Sequence, residues 1–295
     1  MKPSTVVGIG TIAPLAVLSL GIVACRQPDA QPRGNGAAVP SPSTATTAPA
    51  PATAPEPVWH YEGDEGPAHW GTISGKFASC LSGRAQSPID IVPTARGATP
   101  DAITLEFAPA SLRIVHHEHV ADAVNNGHTI QVNYSEGDTL TVAGRAYQLV
   151  QYHFHAPSEH TVNGKQFPME MHLVHTSAEG QLAVIAVLIV ESAHNAAFDP
   201  IWTNLPVTKD IVHHLEHVKV DVDALLPKAR TTYRYEGSLT TPPCSEGVKW
   251  FVMTTPIALS KAQIGAFTAL FHGNNRPVQP LNGRPVLTDE VGGTD

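Results

Sequence analysis

Apolar and polar residues alternate over short distances through the central part of the chain. Between Ile103 and Leu149, short runs of this kind are separated by turn sequences, as at 129–134 and 139–142. Because successive side chains of a β-strand point to opposite faces, the alternation predicts a series of half-buried strands. Two further strands are predicted for 151–155 and for Met169 to His175, which are joined by a turn-rich link.

Residues 182–190 are apolar almost without interruption, which is typical of a strand buried on both faces. Helical spacing is sparse. The best candidates for helices are 198–202, 206–218 and 260–271. Mostly strands with a few short helices indicate a mainly β (α+β) fold in a single domain.

The first 57 residues differ from the rest of the chain. Residues 1–25 have one early lysine, then an apolar run, then Ala24-Cys25, which is the order of an export signal. The ending resembles a bacterial lipoprotein box, in which Cys25 is lipidated. An uncleaved membrane anchor is the alternative. Residues 26–57 contain eight prolines and almost no large apolar side chain, which predicts an extended linker.

The overall charge excludes one class of partner. The formal net charge is -8 and the sequence pI is about 6.0, so binding to nucleic acid has no electrostatic support. Apart from Cys25, the cysteines are Cys80 and Cys244. In an exported protein we expect such a pair to be bridged. Closing a loop of that length adds roughly 4 to 5 kcal/mol of stability in the chain-entropy model.

Histidines are the candidate metal ligands. His153 and His155 are two residues apart on a predicted strand, so both imidazoles leave the same face, and the next predicted strand carries His172. Three histidines with one open position are typical of a catalytic zinc site. The alternative is that they are ordinary polar residues of a half-buried sheet. For the tracts at 116–119 and 213–217 we expect solvated surface, with adventitious metal binding as the alternative.

Several sequence blocks, in the same order, resemble the α-class carbonic anhydrases. They span roughly residues 59 to 287 and imply a large twisted, mostly antiparallel central sheet with short peripheral helices. The implied domain is 58–287, followed by a tail at 288–295. The blocks are QSPIDI from Gln86, NNGH from Asn125, QYHFH from Gln151, PSEHTV from Pro157, EMHLVH from Glu170, GSLTTPP from Gly237 and RPVQPLN from Arg276.

The resemblance implies reversible hydration of carbon dioxide to bicarbonate and a proton, by attack of zinc hydroxide. One Zn²⁺ per chain would be bound by His153, His155 and His172. We expect Gln151 and Glu170 to accept the ring N–H groups of His153 and His172. The remaining implied roles belong to Glu159 and Thr240, which orient the attacking oxygen, and to Thr241, which contacts bicarbonate together with Thr240.

The resemblance also implies a proton shuttle and an apolar substrate wall. His128 would carry the proton away from the zinc, with Asn126 and Tyr61 ordering the intervening waters. A histidine with a pKa near the ambient pH suits that step. The implied wall consists of Val174, Val184, Leu239, Val248 and Trp250.

Two rival functions are a catalytically silent carbonic-anhydrase-like binding domain and a periplasmic zinc buffer. Because no implied zinc ligand is missing from the sequence, the active enzyme is favoured over the silent domain. By resemblance we also expect inhibition by sulfonamides or anions, and an esterase side activity is possible chemistry for such a site. The predicted location is periplasmic or cell-surface, tethered through Cys25, with the outer membrane slightly favoured. The sequence does not indicate an oligomeric state.

Overall fold

A computed structural model of the protein describes residues 57–92, 113–115, 118–134, 138–210 and 212–290. The predicted export signal, the lipidation site Cys25 and all but the last residue of the predicted linker lie outside these ranges. Over the described residues, none of the helices has both the length and the apolar character needed to cross a bilayer.

Strands make up most of the described chain. They are β1 Asp90–Ile91, β2 Arg113–Val115, β3 Glu118–Asn125, β4 Ile130–Tyr134, β5 Thr139–Val142, β6 Arg145–His155, β7 Thr161–Val162, β8 Lys165–Gln166, β9 Met169–Thr176, β10 Leu182–Glu191, β11 Val212–Asp221, β12 Thr231–Ser238, β13 Glu246–Met253, β14 Ile257–Leu259 and β15 Leu287–Glu290.

Twelve of these strands form one sheet. Its main path runs in the order β11-β3-β4-β6-β9-β10-β13-β12-β15, with β5 beside β6, β2 beside β5 and β14 beside β10. Neighbours pair antiparallel except that β10 runs parallel to β13 and β14. A second, three-stranded sheet has the order β1-β7-β8. The predicted mainly β fold with a large central sheet is therefore confirmed.

The central sheet is buried on both faces, as β10 shows most clearly. Ala183, Ile185 and Val187 belong to one apolar cluster, whereas Val184 and Ala186 belong to another on the opposite face. This confirms the prediction that the unbroken apolar run is a strand covered on both sides. The second cluster lies on the same face as His153, His155 and His172 and so forms the apolar base of the candidate site.

Short helices lie at the periphery. They are α1 Trp70–Ile73, α2 Ser79–Ser82, α3 Asp199–Trp202 and α4 Lys261–Thr268, together with 3-10 turns at Gly63–Glu65, Gly75–Phe77, Ala196–Phe198 and Asp223–Leu225. The helix predicted at 260–271 is confirmed. It begins with a capping box, in which the Ser260 side chain accepts from the Gln263 N–H and the Gln263 side chain accepts from the Ser260 N–H. The helix predicted at 198–202 is confirmed as α3.

The helix predicted at 206–218 is wrong. Most of that segment belongs to β11, which pairs antiparallel with β3 at an edge of the sheet. The register shifts between Leu215 and Lys219, and such a bulge interrupts the two-residue alternation by which a strand is identified in sequence. The histidines at 213–217 therefore lie on a strand. Their side chains, and those of residues 116–119, lie outside what the structure describes.

The last described strand extends beyond the predicted end of the domain at residue 287. β15 pairs with β12 from Thr231 to Arg234, and it ends at Glu290. Its residues add an edge strand to the central sheet, so the ordered domain includes at least three residues of the segment predicted as a tail.

Candidate active site

Three imidazoles meet on one face of the central sheet. β6 and β9 pair antiparallel, with His153 directly opposite His172, and His155 follows two residues later on the same face of β6. The ring centroids are 5.0 Å apart for His153 and His155, 5.3 Å for His153 and His172, and 4.6 Å for His155 and His172. One nitrogen from each ring lies within 4.8 Å of the others, as a shared metal ligand set requires.

Each imidazole has one nitrogen occupied by a fixed partner, which leaves the other nitrogen for a metal. The Gln151 Oε1 lies 2.8 Å from His153 Nδ1, and the Glu170 Oε1 lies 3.0 Å from His172 Nε2. His155 Nδ1 lies 2.6 Å from the backbone carbonyl oxygen of Asn274. His155 Nε2 is buried without a hydrogen-bond partner among the described residues. The residues therefore fit a zinc ion at this point.

Burial keeps the three histidines in the form that binds metal. Desolvation is the main cause that lowers the pKa of all three, to about 4 for His155 and well below 6.5 for His153. For His172, the charge of Glu170 acts against this effect. Neutral imidazoles at neutral pH keep their lone pairs available, so a cation need not displace protons to bind.

Glu170 is the centre of a buried hydrogen-bond network that the sequence analysis missed. Its Oε1 lies 2.6 Å from His160 Nδ1, and its Oε2 accepts from the backbone N–H groups of Glu159 and His160, both at 2.8 Å. Burial alone raises the pKa of Glu170, but His160 and His172 hold it well below its usual range. His160 Nε2 in turn lies 2.6 Å from the Tyr235 hydroxyl. In the sequence, His160 is part of the PSEHTV block, and its spacing from Glu170 gives no sign of this contact.

Glu159 lies between the metal position and the loop that contains Thr240. Its Oε1 accepts from the Arg276 backbone N–H at 2.8 Å, and its Oε2 lies 3.5 Å from His155 Nε2. Burial raises the pKa of Glu159 to about 7, whereas His172, the Arg276 N–H and the neighbouring Thr240 side chain act in the opposite direction. Thr240 is itself buried and the neighbouring Thr241 is partly exposed.

An apolar surface surrounds the metal position on this face. Val184 pairs with Val174 on β9 and with Trp250 on β13. The Trp250 ring lies 4.9 Å from that of His172. All of the predicted wall residues belong to, or pack against, the same cluster: Val174, Val184, Leu239, Val248 and Trp250.

His128 lies in a turn near the N-terminal segment of the domain. Its ring stacks on Trp59 at 3.8 Å and 10°, and the Tyr61 ring centroid is 6.2 Å away. The Asn126 Oδ1 accepts from the backbone N–H groups of His128 and Thr129, so this oxygen stabilises the turn. Partial burial, followed by His60 and Lys209, lowers the pKa of His128 to about 4, below the near-neutral value expected for a shuttle.

The disulfide between Cys80 and Cys244 is formed, as predicted. Cys80 lies in α2 and Cys244 lies in the loop after β12, at a sequence separation of 164 residues. The Cys244 N–H donates to the Thr241 carbonyl at 2.8 Å, which closes a turn beside Thr240. A structural disulfide is typical of proteins that fold outside the reducing cytosol.

The fold and site define a mainly β protein in which three imidazoles converge as a candidate metal-ligand set. Residues 65–290 match the family model described as eukaryotic-type carbonic anhydrase, and the chain belongs to this family.

Relatives agree with this assignment over most of their own length. A carbonic anhydrase of Pectobacterium carotovorum is 44% identical over 230 residues, which cover 78% of this chain and 90% of the relative. One from Neisseria gonorrhoeae is 45% identical over 231 residues, covering 78% and 87%. The solved complex of α-carbonic anhydrase from Thermovibrio ammonificans with the inhibitor sulfanilamide has a TM-score of 0.70 at 42% identity, covering 78% and 98%. The predicted enzyme class and carbonic anhydrase activity are confirmed.

Proposed function

We propose that the protein hydrates carbon dioxide reversibly with one zinc ion bound by His153, His155 and His172, and that His128 carries the released proton towards solvent. The observation that carries this proposal is the convergence of three neutral imidazoles, each with one nitrogen fixed by a partner and the other directed at a common point. Imidazole nitrogens are preferred zinc ligands, and three of them leave a fourth position open.

Zinc held by three neutral ligands lowers the pKa of its bound water to about 7, a value established for this enzyme class rather than one that follows from this geometry. The chain contributes the electrostatics around that position. Glu170 is charged but is not itself one of the three ligands. The ligands therefore remain neutral, and the contact with Glu170 fixes the orientation of the His172 ring. Gln151 and the Asn274 carbonyl orient the other two rings in the same way.

Glu159 and Thr240 orient the attacking oxygen. A Thr240 hydroxyl whose proton points towards Glu159 presents its lone pair to the site, so the nucleophilic oxygen directs its own proton away from the substrate. The buried position of both side chains and their mutual interaction support this role. The wall around Val184 and Trp250 offers apolar carbon dioxide a dry surface. Thr240 and Thr241 would contact the bicarbonate product.

The proton leaves along the side of the site that contains Tyr61, Asn126 and His128. The Asn126 side-chain nitrogen donates to Gln131 Oε1 at 3.4 Å, so it faces polar groups while its oxygen holds the turn. Tyr61 is partly buried, and desolvation together with the charge of Glu159 raises its pKa, which keeps its hydroxyl protonated and able to order water. His128 accepts the proton at a ring nitrogen and releases it outward.

The cellular setting belongs to the same proposal. The Ala24-Cys25 ending of the apolar N-terminal run and the Cys80–Cys244 disulfide support an exported, lipid-tethered enzyme, either periplasmic or at the cell surface. The sulfanilamide complex of the Thermovibrio relative supports inhibition of this chain by sulfonamides.

The test is carbon dioxide hydration by the full chain, measured by stopped flow before zinc removal, after chelation and after zinc return. We expect activity to disappear with the metal and to return with one equivalent of zinc per chain. A His155→Ala variant is the matched control and should not recover. A folded protein that binds one zinc but remains inert towards carbon dioxide would contradict the proposal, and recovery that needs several equivalents would indicate a zinc buffer.

A further inference from the structure

A second histidine lies beside His128, on the outer side of the site. The His60 and His128 ring centroids are 6.1 Å apart and their planes are inclined by 42°. At this centroid separation, ring nitrogens turned towards each other would be within reach of about one bridging water. The His60 side chain is 54% exposed, so it also touches bulk solvent.

The backbone fixes the position of His60. Its N–H donates to the Glu65 carbonyl at 2.9 Å, and its carbonyl accepts from Trp70 Nε1 at 2.8 Å. The preceding residue, Trp59, carries the ring on which His128 stacks. The anchored segment therefore contains His60 and also packs against His128 through Trp59. The proximity of the two imidazoles is a property of the folded domain.

The two histidines have different charged neighbours. His128 faces Lys209 and Asp210 as well as His60. Burial, His60 and Lys209 lower the pKa of His128 to about 4, whereas Asp210 acts in the opposite direction. By contrast, His60 Nε2 lies 3.5 Å from the Glu65 carboxylate, which is 53% exposed. A proton on His128 is therefore held weakly, whereas a carboxylate adjoins the outer imidazole.

We propose that His60 is a relay residue that takes the proton from His128 and delivers it to solvent or buffer. The step transfers one proton and no electrons: a ring nitrogen of cationic His128 loses its proton, a ring nitrogen of neutral His60 gains it, and His60 then passes it to an external base. Both imidazoles end neutral. This inference rests on the shuttle role proposed for His128.

A purely electrostatic role for His60 predicts the opposite change in turnover when His60 is removed. A cationic His60 repels the proton on His128, so its removal would raise the pKa of His128 towards neutrality. That change would bring His128 closer to the value that favours proton exchange and would leave turnover in dilute buffer unchanged or faster. A relay predicts slower turnover instead.

The experiment compares zinc-loaded full chains with His60→Ala, His60→Gln, His128→Ala and both His60→Ala and His128→Ala, with His69→Ala as the matched exposed-histidine control. We expect both His60 variants to lower kcat in dilute buffer by less than the roughly 100-fold typical of a lost general base, because water still accepts protons. The value of kcat/KM should not change. Added imidazole should restore kcat, and the double variant should be no slower than His128→Ala alone.

The outcomes separate the relay from the shuttle on which it rests. Unchanged or faster turnover in both His60 variants, with His128→Ala still slow, would overturn the relay and leave the shuttle in place. Additive losses in the double variant would overturn the series arrangement, since two steps of one path do not add. If His128→Ala itself turns over normally in dilute buffer, the shuttle role of His128 is overturned, and the relay that rests on it is overturned as well.

Discussion

At the scale of single residues, the surroundings of His128 determine how strongly its imidazole binds a proton. The exposed side chain of Lys209 packs against the turn that contains Gly127 and His128. A Cβ on Gly127 would lie only 2.6 Å from the Lys209 Cε. Its positive charge disfavours imidazolium and is the third cause of the lowered pKa of His128, after burial and His60. In the proposed shuttle, Lys209 would therefore favour proton release from His128 without touching the reacting atoms.

We expect Lys209→Met to raise the pKa of His128, because a like charge is removed from beside the imidazolium. The rise should be up to about one unit, as is reasonable for a partly screened pair. It should be measured by titration of the histidine ring resonances in NMR spectra. Lys261→Met, on the surface of α4, is the matched control and should leave the titration unchanged. A fall in the pKa after Lys209→Met would contradict this assignment.

The residues that hold the histidines differ in how far they could be predicted from sequence. Gln151 and Glu170 stand two positions from His153 and His172, and residues two apart share a face of a strand, so these contacts follow from local spacing. The partner of His155 is a backbone carbonyl 119 residues away, at Asn274. A carbonyl group is common to every residue, so no sequence signal could identify this one.

At the scale of secondary structure, β10 could be predicted from local sequence and β11 could not. The apolar run at 182–190 could be predicted as a strand because every residue type in it agrees with burial on both faces. The segment that contains β11 was predicted as a helix because its alternation is interrupted at the bulge and its pairing partner, β3, lies about 90 residues earlier. Pairing with β3 outweighed the local pattern, as tertiary context often does.

The disulfide connects two elements that otherwise depend on side-chain hydrogen bonds. Arg276 donates to the Cys80 carbonyl and to the Gln86 side chain, and Gln86 donates to the Cys244 carbonyl. The same Arg276 donates its backbone N–H to Glu159. The bridge therefore stabilises α2, the Thr240 loop and the carboxylate that faces the metal position as one connected unit.

Replacing both cysteines, as Cys80→Ser with Cys244→Ser, should lower the free energy of unfolding by up to about 5 kcal/mol in the chain-entropy model for a loop of this length. Denaturant titration measures this loss. The native chain under reducing conditions should behave like the variant, and the variant should not respond to reductant. We also expect lower kcat/KM, since the Thr240 loop loses its covalent attachment. Equal unfolding free energies in the two chains would show that the hydrogen bonds alone hold the loop.

At the scale of the whole molecule, the ligands of the proposed zinc ion join distant parts of the chain. His153, His155 and His172 lie on two central strands, and the Asn274 carbonyl that orients His155 comes from the loop after α4. The Asn274 side chain fixes this loop to β6, since its nitrogen donates to the Phe154 carbonyl and its oxygen accepts from the Ala156 N–H. The site exists only when these parts are folded together.

Zinc should therefore stabilise the folded chain, because the unfolded chain offers no comparable site. At free zinc about 1,000-fold above Kd the gain is about 4 kcal/mol, which corresponds to a rise in Tm on the order of 10 °C for a domain of this size. Calorimetry of the full chain after chelation and after zinc return measures the shift. His155→Ala should lose most of it, because this buried imidazole supplies a ligand, whereas exposed His69→Ala should keep it. An equal shift in His155→Ala would place the stabilising zinc elsewhere, and the three-histidine centre would lose its thermodynamic support.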